Sequence, residues 1–383
     1  MKRKKLFTLV VAVMLIMSLT VTGCGNRDNN VVVPNGDTEW TGETFHWRMQ
    51  GYTAVGTTFY EYGLHLAQLI ERMSGGRITI DFFGVGEIVA GFEMPNAIRD
   101  GILDVIFCHG GQWTSVEPGM ALFSSTPGMF SDPFDALHWV EHGGGLEIWR
   151  ELVRNHANGR VIVSGVLDNE NFLWANERVT SIEQLQRMHI RMMPLGGDIL
   201  AANGVSVVFL PGGEVVPAIE RGVIDGGEFA TSALDYTFGF HDVARYRHLP
   251  GWHQPSAMLK MVISYDAWNA LPDDLQAIVE AAARYNTMWT WMQNSIRNQE
   301  ANVRFLENGN ELVVMPPEMV ATLHEWAEAF FDEAMRTDPV IRRIKESQRA
   351  FVQWWAPYKT DQMMPFPDWA FDRAAEQPFR IGE

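Results

Sequence analysis

The sequence predicts an α/β fold of two lobes. Its 383 residues exceed what one ordinary domain holds and suit two lobes, each with its own hydrophobic core. Apolar residues make up 46% of the chain and charged residues 20%, the balance of a folded globular protein. Strand-like and helix-like patterns alternate along most of its length, and repeated β-α-β units imply a largely parallel sheet covered by helices.

The elements follow in order. Lys2, Arg3, Lys4 and Lys5 precede an apolar run of about 16 residues from Leu6 to Val21, too short for a comfortable membrane span. This reads as a signal peptide over 1–23. Val21-Thr22-Gly23-Cys24 resembles a bacterial lipobox, which makes Cys24 the expected site of lipid attachment. Residues 25–42 lack periodicity and read as a tether. Phe45 to Met49 alternate as a strand, 59–73 carry helical spacing, Gly75-Gly76 end the helix, and Ile78 to Phe82 form the next strand. A helix over 94–100 and an apolar strand over 102–107 repeat the unit. A second region starts at Val161, passes through a strand at Ile190-Arg191-Met192, and reaches a helix before Gly222. After about residue 272 the chain turns helical, over 275–285 and beyond, 317–335 and 340–355.

Composition excludes some functions. Losing the leader's four positive charges takes the formal charge from −17 to −21, which repels nucleic acid. A small anion therefore needs a local cationic site. Cys24 and Cys108 are the two cysteines, and a lipidated Cys24 leaves none to pair with Cys108.

One motif points to an enzyme. His138-Trp139-Val140-Glu141-His142 matches H-x-x-E-H, in which two His one helical turn apart bind zinc and the Glu serves as base. Gly143-Gly144-Gly145 end that helix at once, and three specified residues in a chain of this length are weak support.

Other segments agree with one another better. Gly75-Gly76-Arg77, Glu87-Ile88, Ala97 to Gly101, Arg191 after a strand, Leu210 to Glu214, Ile219 to Asp225 and Leu271-Pro272 occur in one order. In that order they resemble the solute receptors of tripartite ATP-independent periplasmic (TRAP) transporters. The resemblance implies a periplasmic-binding-protein-like fold of two α/β lobes joined by hinge strands, with extra C-terminal helices. It divides the chain into lobe I, 43–165 plus about 257–300, and lobe II, 166–256 plus about 301–383. Such receptors are not enzymes; they close on a ligand and deliver it to a membrane permease.

Leu195-Gly196-Gly197, Glu228 and Pro250 to Pro255 further resemble the subgroup that binds 2-oxo and 2-hydroxy monocarboxylates with a cation. Arg191 is then the expected clamp for the carboxylate, since guanidinium is always charged and donates two parallel hydrogen bonds. The resemblance places the oxygen ligands of a Ca²⁺ or Na⁺ on Glu170, Glu228, the Phe229 carbonyl and Gln254. Gln254 stands where the family has Glu, and Glu170 where it has an amide, so carboxylate and amide change places while the charge is kept. Phe229 replaces a Trp. Gln112 and Trp113 are candidates for the opposite wall. A C4-dicarboxylate is the alternative ligand and would need a second cationic contact. The aromatic C-terminal helices suit either core packing or a homodimer.

Overall fold

The computed structural model describes residues 42–362. The signal peptide, Cys24, all but the last residue of the tether, and 363–383 lie outside the described residues. Two mixed sheets organise the chain, each with helices against it. The first contains β1 (Phe45–Gly51), β2 (Ile78–Phe83), β3 (Val105–Cys108), β4 (Gly159–Leu167) and β10 (Ala257–Ser264), in the order β2-β1-β3-β10-β4. The second contains β5 (Leu173–Ala175), β6 (His189–Arg191), β7 (Ser206–Val208), β8 (Gly226–Gly227), β9 (Tyr246–Leu249) and β11 (Glu311–Val314), in the order β11-β9-β5-β8-β6-β7.

Parallel pairing joins β1 to β2 and β3, and β6 to β7 and β8. The antiparallel strand β10 sits between β3 and β4, and all its residues are buried, as are the apolar runs it pairs with. In sequence these strands read as continuous hydrophobic stretches because both of their faces are covered.

Local signals explain the element ends. The helix Thr58–Met73 starts at Thr57, whose side chain accepts from the Tyr60 amide, and buries Phe59, Tyr62, Leu66, Leu69 and Ile70 on one face. The strand expected from 102 begins only at Val105. The amides of Ile102 and Leu103 are spent on the Ala97 carbonyl, closing the preceding helix, with Gly101 in the left-handed region at φ 69°.

The chain passes between the sheets at 168–172 and returns at 250–256. A 35-residue helix, Asp273–Glu307, packs along β4 and the outgoing crossing that follows it. Its side chains bond to backbone on either side. Asn286 donates to Ser164 O at 2.7 Å and Asn294 accepts from the Asp168 amide at 3.0 Å. Asn298 accepts from the Ala233 amide at 2.9 Å.

The helix Pro317–Thr337 packs on Pro194–Ala202, beside the second sheet. The last helix, Pro339–Gln362, instead packs on Pro118–Phe123 and Gly145–Ala157, beside the first, and Gln348 donates to Leu122 O at 3.0 Å. The two helices, both assigned to lobe II by the resemblance, thus pack beside different sheets. Ile344 and Phe351 supply the apolar face that carries the last helix to the first lobe.

Candidate functional site

Two parallel strand ends begin the site. Arg191 closes β6 opposite Gly227 of β8, so Glu228, the next residue, emerges beside it. Carboxyl ends of adjacent parallel strands are where α/β sheets present ligand-binding groups. Arg191 is 1% exposed. Its Nη1 donates to the Glu228 main-chain oxygen at 2.6 Å and stands 2.9 Å from Glu228 Oε1, while Nε donates to Leu210 O at 3.1 Å. Nη2 meets the Met193 sulfur at 3.4 Å, a weak acceptor that leaves this edge of the guanidinium available to a stronger one.

The two crossings bring the remaining groups. Asn169 accepts from the Gly251 amide at 2.8 Å, and the Glu170 amide donates to Gln254 O at 3.2 Å, zipping the segments together. Gly251 permits this approach: a Cβ there would lie 2.2 Å from the Glu170 carbonyl oxygen. Gln254 Nε2 donates to Glu170 Oε1 at 2.6 Å, and His253 Nε2 lies 3.6 Å from Glu170 Oε2. Glu228 Oε1 accepts from the Met193 amide at 2.6 Å.

Burial, with the neighbouring Glu228 adding to it, pushes the Glu170 carboxyl up to about 7 against the opposing pull of His253 and Arg191. Asp235 anchors the frame behind. It accepts from Asn171, Trp174 and the Ala230 amide, tying the neighbours of Glu170 to those of Glu228.

Glu170, Arg191, Phe229, Gln254 and Gln112 line one cavity of about 270 Å³. Gly212 makes room for the Phe229 ring, since a Cβ on Gly212 would stand 1.9 Å from it. Gln112 faces the others from the first sheet's side, its Oε1 accepting from the His109 amide at 3.0 Å. Trp113 does not line the cavity. It is fully buried, its indole donates to Cys108 Sγ at 3.3 Å, and its ring packs over Lys260. A tight turn after β3 sends residues 112 and 113 to opposite sides, one to the cleft and one to the core.

Sequence reasoning missed Tyr52 and His109, which also line the cavity. The Tyr52 hydroxyl is buried without a partner, and burial, reinforced by Glu170, holds its pKa well above the usual value. His109 Nδ1 accepts from the Gly111 amide at 3.1 Å, which puts the ring hydrogen on Nε2, also buried and unpartnered. Burial, then Lys260, lowers the His109 pKa to about 3, so the ring is neutral. Both residues directly follow a strand, β1 and β3, which is the signal that located Arg191.

The donor set fits a hard cation. Glu170 Oε2 and Glu228 Oε2 are buried carboxylate oxygens without a hydrogen-bond partner, and a buried charge needs a partner or an ion. Among the described residues, Glu170, Glu228 and His253 form a group whose ligand atoms lie within 4.8 Å of one another. His138, Glu141 and His142 form no such group: the His138 ring bonds the Phe134 carbonyl at 2.6 Å and stacks on Trp355.

Comparison with known proteins places this geometry. Residues 49–338 match the model of the DctP family, described as bacterial extracellular solute-binding protein, family 7. A Nostoc protein named as a monocarboxylate 2-oxoacid-binding periplasmic protein is 28% identical over 289 residues, 75% of this chain and 78% of that one. A TRAP transporter solute-binding protein from Bordetella bronchiseptica, a mixed-occupancy dimer with calcium and picolinate in its bound site, superposes with TM-score 0.78. It is 24% identical, over 84% of this chain and 95% of that one. A counterpart from Pseudoalteromonas atlantica, with bound sodium and pyruvate, gives TM-score 0.77 at 20% identity, over 84% and 97% of the two chains. The matched region takes in both sheets apart from the start of β1, and every residue of the cavity wall just described, and the chain belongs to the DctP family of bacterial extracellular solute-binding proteins.

Proposed function

We propose that this chain is the receptor of a TRAP transporter that holds a small 2-oxo or 2-hydroxy monocarboxylate together with Ca²⁺ or Na⁺. The observation that carries the reading is the pairing of two orphaned buried carboxylate oxygens, on Glu170 and Glu228, with a guanidinium whose Nη2 lacks a strong acceptor. A carboxylate fits against Arg191 Nη2. The cation, held by Glu170, Glu228, Gln254 and the Phe229 carbonyl, supplies positive charge for the carboxylate and for the oxygen on C2. Tyr52 and His109 close the opposite side, and Phe229 forms a wall. Contacts made from both sides at once favour the closed arrangement of the lobes, so ligand shifts the population toward it.

The same reading makes the chain an extracytoplasmic lipoprotein, anchored through Cys24, that hands its cargo to membrane permease subunits. No helix among the described residues is long and apolar enough to cross a membrane. Trp354 and Tyr358 are exposed on the last helix, 72% and 56%, and would be covered in a homodimer through the C-terminal helices. A dicarboxylate fits less well, because Arg191 is, among the described residues, the one Lys or Arg lining the cavity. Catalysis has no support in the H-x-x-E-H segment, whose first His is committed to backbone.

Thermal unfolding with pyruvate is the test, on protein stripped with chelator and then given Ca²⁺ or Na⁺. The transition should rise with acid and cation together by mass action. No rise with any 2-oxo or 2-hydroxy acid, in either cation, removes the proposal.

A further inference from the structure

The cavity at Arg191 does not end where a three-carbon acid would end. A second cavity of about 370 Å³ adjoins it, and Phe92, His109, Met193, Phe209 and Gln254 line both. One water requires roughly 10–15 Å³, so the six heavy atoms of pyruvate, at one such share each, take less than about 100 Å³. Most of the first cavity and all of the second stay free of it.

Two features of the extension define what it accepts. Phe92, from the first half, and Phe209, from the second, are large apolar side chains left 48% and 46% exposed beside the passage. Leu195, Pro118 and Ala121 continue the apolar lining beyond them. Among the described residues the second cavity has no Lys or Arg in its lining, and its one ionisable carboxyl is Asp198, whose pKa partial burial raises. The ring of His109 at the junction is neutral and offers no charge to a second anion.

We infer that the ligand is a 2-oxo or 2-hydroxy monocarboxylate with an extended uncharged apolar chain, which runs from Arg191 between Phe92 and Phe209 into the second cavity. The inference rests on the reading of the Arg191 site given above and names the class of acid within it. Each methylene moved from water into such a lining tightens binding by roughly fourfold. A terminal carboxylate loses that gain and meets Asp198 with no cation to offset it.

Calorimetric titration of the full mature chain in Ca²⁺ tests this with pyruvate, 2-oxopentanoate, 2-oxooctanoate and 2-oxoglutarate. The expected order is 2-oxooctanoate at least tenfold tighter than pyruvate, and 2-oxoglutarate at least tenfold weaker than 2-oxopentanoate, which has the same carbon chain. Ala121→Phe should remove the advantage of 2-oxooctanoate and leave pyruvate unchanged. Should that variant fail to fold, the partly exposed Asp198→Lys serves, and should tighten 2-oxoglutarate. Pyruvate binding with no gain from chain length, or 2-oxoglutarate equal to 2-oxopentanoate, overturns the inference and leaves the site reading standing. Failure of all four acids overturns the site reading itself.

Discussion

Gln254 Nε2 donates to Glu170 Oε1 at 2.6 Å, joining the outgoing and returning crossings through the two positions at which the resemblance implies an exchange of carboxylate and amide. Because the two groups touch, the site's charge is nearly indifferent to which of them carries it. Glu170→Gln should therefore weaken Ca²⁺ binding at least tenfold by leaving one carboxylate. The double variant Glu170→Gln, Gln254→Glu should recover affinity to within about threefold. Calcium titration of the single and double variants decides it, and a double variant as weak as the single one refutes the exchange.

Arg191 and Glu228 are both buried, so neither tolerates loss of the other. Arg191→Ala should cost about 3–5 kcal/mol in urea unfolding, the usual penalty for stranding a buried charge. Replacing both, Arg191→Met with Glu228→Leu, should recover much of that stability and still bind no carboxylate. The pair would then be separable into a structural cost and a binding role.

Gly251 is fixed by proximity. Gly251→Ala should push the returning segment off Glu170, costing at least about 2 kcal/mol and weakening cation binding in the same variant. Unfolding and calcium titration measured together test the link. A variant that unfolds normally and binds normally shows that the crossing yields without strain.

Lys260 is buried on β10 between the rings of Trp113 and Trp149, its Nζ without a hydrogen-bond partner, and burial lowers its pKa to about 8. A lysine with a depressed folded pKa binds its proton more weakly folded than unfolded. Its contribution to stability therefore rises as pH climbs from about 8 toward the unfolded value near 10.5. Lys260→Met should be more stable than the wild type at pH 7, and that advantage should shrink by roughly 3 kcal/mol by pH 11. Urea denaturation of both proteins across that range provides the measurement.

The sequence made the strands and helices legible where burial is one-sided or complete. The Thr58–Met73 helix and its flanking strands β1 and β2 follow directly from spacing. Arg191, Glu228 and Gln254 are candidates from resemblance, Arg191 also from its strand end, and the fold brings them together around one cleft. Trp113 departs from the expected cleft wall because the turn after β3 puts adjacent residues on opposite sides, a tertiary fact without a local pattern. Tyr52 and His109 went unnoticed because an aromatic after a strand is more often core, and their unpartnered polar atoms exist only once both halves meet. The last helix's attachment to the first half depends on long-range packing that no window of sequence contains.

The Asn286, Asn294 and Asn298 contacts have a mechanical consequence. They stitch one long helix to backbone on both sides of the crossings, spanning about 18 Å from the first to the last. In the proposed receptor this helix would serve as the sewn spine of a book. The largest displacement on opening would then fall at the fore-edge, far from the Asn residues. The proposed membrane partner would tell a loaded receptor from an empty one best at that fore-edge, and would learn little from the spine.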